Sequence, residues 1–239
     1  MADSPGPIAL AGSGEFLPVM EPVDRELLRG RAPRAAFLPT AAAREGHDRV
    51  RYWLELGDAH YRLMGVEPVP VPVRDRDDAD DPELAARLDG VGLIYLSGGD
   101  PHHLTATLRH TRVWSAIVAA WHSGAALAGC SAGAMALTSG APALDGRSAT
   151  GVPDGQPNGL GVLPELAVIP HFDVVGQWRP QALQHYARWQ PPGTTLLGID
   201  EETALVGDGS SWLVAGRRSV WVLSGGERVE AKAGERMTL

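Results

Sequence analysis

Residues Ala128-Gly129-Cys130-Ser131-Ala132-Gly133-Ala134 carry the pattern Gly-x-Ser-x-Gly. The apolar run before it, Ala125-Ala-Leu-Ala-Gly129, reads as a short buried strand, and Ala132-Gly-Ala-Met-Ala-Leu137 reads as the first turns of a helix. Between those two elements the chain must turn sharply, and the strained turn lifts the serine hydroxyl out of the fold toward the free N–H groups of the helix start. The chemistry this suggests is attack of Ser131 on a carbonyl. The flanking glycines are expected to leave room for the turn and for a substrate carbonyl close to the backbone. Cys130 is the only cysteine. Its place before the elbow serine points it elsewhere, and it reads as a small buried hydrophobe.

A nucleophilic serine needs a base and a group that orients the base. His171, in Leu166-Ala-Val-Ile-Pro-His171-Phe-Asp173, directly follows an apolar strand-like run, and so does Glu201, in Thr195-Leu-Leu-Gly-Ile-Asp-Glu201-Glu202. Three polar residues at the C-terminal ends of parallel strands would converge on one edge of an open α/β sheet, where the ligand crevice of that architecture lies. Asp173 is a rival orienting acid, although a residue two further along a strand end need not reach its neighbour's ring. A solvated turn is the ordinary fate of a short acidic run such as Asp200-Glu201-Glu202.

The order Ser131, His171, Glu201 differs from that of α/β-hydrolases, in which the acid precedes the histidine. At these residues the sequence resembles the peptidase E and cyanophycinase family of serine peptidases, which has the class I glutamine amidotransferase-like fold. The resemblance runs through Ala11-Gly-Ser-Gly-Glu15, Leu96-Ser-Gly-Gly-Asp100, the elbow Gly129–Ala134, Gly159-Leu-Gly-Val-Leu-Pro-Glu165, Pro170-His-Phe172 and Gly198-Ile-Asp-Glu-Glu-Thr203. It implies a Ser-His-Glu triad on Ser131, His171 and Glu201. It also implies an oxyanion hole built from the backbone N–H of Ala132 and from the glycine loop, Gly98 or Gly99.

The same resemblance implies a short peptide substrate. Peptidase E removes an N-terminal aspartate and cyanophycinase cuts β-linked aspartyl-arginine units, so each must read a carboxylate near the nucleophile. Here Asp100 is followed by Pro101-His102-His103, which matches neither relative closely. Asp100 and His102 are therefore candidate substrate contacts, and Arg179 is the candidate carboxylate anchor, because guanidinium pairs bidentately with carboxylate. Adjacent His102 and His103 do not share a helix face, and a third ligand is not apparent, so neither a metal nor another cofactor is expected. The expected activity is serine hydrolysis of a short peptide at an α- or β-linked aspartyl residue. The alternatives are a binding protein without turnover on the same scaffold and an esterase of broad acyl specificity.

At 239 residues with 44% hydrophobic side chains, the chain suits one α/β domain over residues 1–239 with a sizeable core. A net charge of −8 argues against nucleic acid or an anionic membrane as partner. One cysteine excludes an internal disulfide framework. Met1–Pro7 lacks the profile of a signal peptide, and no apolar run approaches a membrane span, so a cytoplasmic location is expected. The sequence does not fix the oligomeric state, and a homodimer is compatible with it.

Strand-like runs at 8–11, 34–38, 67–73, 91–96, 125–129, 166–169 and 195–199 alternate with helical patterns at 45–64, 82–88, 113–123 and 180–188. That alternation predicts an open, mostly parallel sheet with helices on both faces in three layers. Asp81-Pro82 and Asp100-Pro101 read as helix starts and Gly124 as a helix end. Residues 74–81 read as a solvated connector. After Thr203 three apolar runs predict an antiparallel meander on one edge, and the stretch from Thr138 to Asn158 is expected to form a lid or substrate loop.

Overall fold

Strands β1 (Ile8–Ala11), β4 (Leu93–Leu96) and β5 (Ala126–Cys130) are buried at every position, the pattern of parallel strands covered on both faces. A computed structural model describes residues 4–142, 157–224 and 226–239. The remaining strands are β2 (Arg34–Leu38), β3 (Glu67–Pro70), β6 (Leu166–Ile169), β7 (Thr195–Ile199), β8 (Thr203–Gly207), β9 (Ser211–Gly216), β10 (Ser219–Ser224), β11 (Glu227–Lys232) and β12 (Arg236–Thr238). The helices are α1 (Glu21–Leu28), α2 (His47–Leu63), α3 (Arg76–Ala79), α4 (Pro82–Ala86), α5 (Pro101–Leu108), α6 (Arg112–His122), α7 (Ala132–Leu137), α8 (Val175–Trp178) and α9 (Ala182–Trp189). None of the described helices is long and apolar enough to cross a membrane.

Eight strands form the main sheet in the order β12-β9-β8-β1-β5-β4-β2-β3. β1, β5, β4, β2 and β3 are mutually parallel, and β8, β9 and β12 extend the sheet antiparallel beyond β1. Alternate side chains of a strand point to opposite faces, and the two faces bury different partners. Ala9, Phe37, Leu93, Tyr95 and Ala128 pack with Val23 and Leu27 of α1 and Tyr61 of α2. Leu10, Leu38, Ile94, Leu96 and Leu127 pack with Leu104 and Leu108 of α5 and Val113 and Ile117 of α6. The result is the three-layer α/β arrangement expected from the alternation.

Two local expectations differ from the structure. The C-terminal strands do not form one meander: β8, β9 and β12 join the main sheet, whereas β10 and β11 pair onto β7 in a second sheet of order β11-β10-β7-β6. Consequently β5 lies in one sheet and β6 and β7 in the other, so the three site strands do not share an edge. The second sheet packs Leu166, Val168, Leu197 and Ile199 onto the main core and Ala167, Ile169 and Leu196 toward Tyr186 and Trp189 of α9. The connector at 74–81 is also more than a solvated run. Asp75 caps α3 by accepting from the Asp78 N–H, Arg74 pairs with Asp78 at 2.8 Å, and Ala79 is buried.

The predicted helix signals lie where expected. Asp81 accepts from the Glu83 N–H at 2.7 Å, Asp100 accepts from the N–H groups of His102 and His103, and Gly124 takes φ +101° just beyond α6. Residues 143–156 of the expected lid lie outside the described residues. Its described ends are tied together: the Ala141 N–H donates to Asn158 Oδ1 at 2.9 Å, and Asn158 Nδ2 donates to the Ala141 carbonyl at 2.8 Å.

The two elbow glycines serve packing rather than the turn. A Cβ at Gly129 would lie 2.5 Å from the Gly133 carbonyl, and one at Gly133 would lie 2.2 Å from the Leu96 carbonyl. They let α7 sit directly on β5 and β4. Gly133→Ala must therefore push helix from strand, and it is expected to lower stability by about 1–3 kcal/mol. A fall in the midpoint of denaturant unfolding at unchanged slope would show this; an unchanged midpoint would contradict it.

Candidate active site

Ser131 stands between β5 and α7 with φ +49° and ψ −107°. A non-glycine residue rarely adopts such a backbone, at a cost of about 1–3 kcal/mol, and it persists only where the surroundings fix it. Here the Ser131 N–H donates to the Ala11 carbonyl at 2.9 Å and the Ser131 carbonyl accepts from Met135 N–H at 3.0 Å. Both peptide groups are held, and the half-buried side chain is turned toward a cavity of about 640 Å³.

His171 follows β6 through Pro170 and also has positive φ, +51°. Its carbonyl accepts from the N–H groups of Val174 and Val175, which closes the turn into α8. The ring lies between the two other residues: Nε2 is 3.1 Å from Ser131 Oγ and Nδ1 is 3.0 Å from Glu201 Oε1. An ionised carboxylate can only accept, so Nδ1 carries the proton in this contact and Nε2 is left to accept from the hydroxyl. Residues from two sheets thus meet in one line. The exposed indole of Trp178 packs against the imidazole, with ring centroids 5.1 Å apart.

The acids around His171 divide by partner. Asp173 does not contact the ring; its Oδ1 accepts from the Glu201 N–H at 2.9 Å and its Oδ2 pairs with Arg218 at 2.6 Å. Asp200 accepts from Trp221 Nε1 and the Ser219 N–H, and burial pushes its carboxyl up. Glu202 pairs with Arg217 and donates its N–H to Ser13 Oγ. Glu201 alone of the three consecutive acids meets the imidazole.

Of the residues expected to supply oxyanion donors, the structure separates Gly98 from Gly99. The Gly98 N–H donates to Glu15 Oε1 at 2.9 Å and is engaged within the protein. Gly99 lines the cavity, and among the described residues its N–H has no acceptor; the same holds for the Ala132 N–H at the start of α7. Gly99 is held at φ +140°, and a Cβ there would lie 2.4 Å from the Ala41 carbonyl group, so only glycine fits.

Asp100, His102 and Arg179 all line the cavity. Asp100 is already engaged: Oδ1 caps α5 and Oδ2 pairs with Arg44 at 3.0 Å. His102 Nε2 is 3.2 Å from the Pro142 carbonyl, whereas His103 turns away to the Arg74 carbonyl and a separate cavity of about 300 Å³. Arg179 is exposed and, among the described residues, forms no ion pair, which leaves its guanidinium open to an incoming anion. Arg44, Trp178, Tyr186 and Glu15 are additions that the sequence did not single out as site residues. Glu15 stood within a quoted glycine loop; the others had no local signal.

A profile of peptidase family S51 matches residues 8–214. The chain belongs to peptidase family S51. It is 30% identical over 181 residues to the cyanophycinase of Trichormus variabilis, covering 70% of this chain and 58% of that protein. It is 30% identical over 203 residues to the cyanophycinase of Synechococcus elongatus, covering 81% of this chain and again 58% of the relative. The chain thus spans a little over half the length of the curated S51 relatives it matches. Among solved structures, a peptidase from an acI-B1 Actinobacterium superposes with a TM-score of 0.90 at 35% identity, covering 100% of this chain and 99% of that one. A protein described as a peptidase E from Listeria monocytogenes gives a TM-score of 0.62 at 16% identity, covering 97% and 100%, which relates the folds.

Cys130 is buried and donates its thiol to Glu15 Oε2 at 2.8 Å. Burial, and then the Glu15 charge, push the thiol well above its ordinary range. It should resist iodoacetamide at pH 8 in the native protein and react fully in denaturant. Rapid native alkylation, read by mass spectrometry, would contradict that assignment.

Proposed function

We propose that this S51 chain is a serine peptidase that cleaves short peptides at an aspartyl residue on the acyl side. The observation that carries the reading is the continuous contact from Ser131 Oγ through both ring nitrogens of His171 to Glu201, at 3.1 and 3.0 Å. In the proposed reaction His171 Nε2 takes the Ser131 proton as Oγ attacks the scissile carbonyl, and Glu201 holds the ring tautomer and stabilises the imidazolium. The amides of Gly99 and Ala132 would receive the developing oxyanion, an interaction in which one lost donor typically costs about 3–4 kcal/mol. Collapse of the tetrahedral adduct passes the proton from His171 to the leaving amine, leaving an acyl group on Ser131. Water, deprotonated by the same imidazole, then releases the acid.

The aspartyl preference is supported by the cavity wall. Arg179 is open to a carboxylate, and Arg44, held by Asp100, lines the same cavity. A peptide presenting an aspartyl side chain, or the free α-carboxylate of a β-linked unit, would meet one of these guanidinium groups with the bidentate geometry they favour. Trp178 adds an exposed aromatic face to the cavity wall beside His171. The names of the curated relatives agree with that chemistry.

The test is amine release from α- and β-linked N-terminal aspartyl dipeptides, β-aspartyl-arginine included. Wild-type protein is expected to turn over at least one of them, Ser131→Ala to lose at least about 10³-fold in kcat, and Glu201→Gln to lose about 10²–10⁴-fold. Release from none of the peptides, with full folding, would favour a binding role instead. For whichever peptide is cleaved, Arg179→Ala is expected to raise KM about tenfold while kcat changes little. An unchanged KM would remove Arg179 as the carboxylate anchor.

A further inference from the structure

Glu15 follows the first glycine loop, and its side chain is buried beneath the nucleophile. One oxygen accepts the Gly98 N–H at 2.9 Å and the other accepts the Cys130 thiol at 2.8 Å. These partners are 83 and 115 residues away along the chain. They belong to the two segments that carry the proposed oxyanion donors, since Gly98 precedes Gly99 and Cys130 stands two residues before Ala132. A Cβ at Gly98 would lie 3.1 Å from Glu15 Oε1 and 3.4 Å from Ser131 Cβ, so carboxylate, loop and nucleophile are packed together.

A carboxylate removed from water is costly unless a cation or several donors compensate it. Among the described residues Glu15 forms no ion pair, and its named partners are one amide and one weak thiol donor. An apolar side chain of similar volume would serve packing at least as well. The carboxylate instead does something that packing cannot. The loop holds two consecutive glycines with little intrinsic backbone preference, and an anchored Gly98 N–H fixes which way the following peptide faces.

We propose that Glu15 is a positioning residue for the oxyanion-binding amides. By holding the Gly98 N–H and the Cys130 thiol together, its carboxylate locks the 97–100 loop to the elbow and sets the Gly99 and Ala132 N–H groups in mutual register. An oxyanion donor contributes most when it needs no reorganisation as the charge develops. The proposal rests on the serine-nucleophile reading above, and it assigns Glu15 no contact with the reacting atoms.

The experiment uses an alkyl fluorophosphonate, whose phosphoryl oxygen takes the oxyanion position as Ser131 Oγ displaces fluoride, so no peptide substrate need be known. The inactivation rate constant and the half-saturating probe concentration are measured for wild type, Glu15→Gln and the double variant Glu15→Leu/Cys130→Ala, with thermal unfolding alongside. In the double variant, which fills the site with apolar groups, the rate constant of the folded protein should fall about 10–100-fold while half-saturation stays within twofold, and the unfolding temperature should drop by only the few degrees that one orphaned amide costs. Glu15→Gln, which retains an acceptor for the Gly98 N–H, should recover part of the loss. Rate constants within twofold of wild type in both variants would overturn the proposal, and so would a loss that only follows the folded fraction. Folded wild-type protein left unlabelled at Ser131 would overturn the serine reading and this proposal with it, before any Glu15 variant is compared.

Discussion

The site depends on the backbone of Ser131 being held at φ +49° and ψ −107°. That conformation is uphill by itself, and three features fix it. The Ser131 N–H is bonded to β1 through Ala11, its carbonyl begins the α7 ladder, and Gly129 and Gly133 let α7 lie against β5 and β4 with no side chain between them. Were the helix to stand off by the width of a methyl group, the hydroxyl would leave the line to His171 Nε2. The tight α/β core is therefore the source of the geometry at the serine.

The second sheet has to meet this fixed point from another direction. β6 and β7 run parallel to each other and deliver His171 and Glu201 from their C-terminal ends. Neighbouring acids keep that delivery specific. Asp173 anchors the Glu201 backbone and is itself neutralised by Arg218, while Asp200 and Glu202 are drawn off to Trp221 and Arg217. Only Glu201 is left to face the ring. Beneath the serine, Glu15 ties the glycine loop to the elbow, so the glycine loop, Ser131 and His171 are each held by contacts far apart in the chain.

Much of this was legible in the sequence, for identifiable reasons. β1, β2, β6 and β7 match the apolar runs residue for residue because a strand buried on both faces is a continuous apolar segment. The elbow, His171 and Glu201 were legible because strand ends place side chains predictably. The partition of the C-terminal strands was not, since the choice of pairing between β8 with β1 and β10 with β7 leaves no local trace. Helix α1 was not among the helical patterns read from the sequence; its eight residues begin next to Pro22, which lies in the first turn where proline is tolerated. The placement of Glu15 and Arg44, and the difference between an engaged Gly98 N–H and a free Gly99 N–H among the described residues, rest on long-range hydrogen bonds. Those exist only once the sheet has formed.

The most direct measurement is to map where a fluorophosphonate attaches, by digesting the labelled protein and sequencing the modified peptide by mass spectrometry. A serine nucleophile activated by His171 predicts one phosphonyl group per chain, on Ser131, and none in His171→Ala protein over the same interval. Attachment at another hydroxyl, such as Ser13, or labelling of Ser131 that persists undiminished without His171, would contradict it.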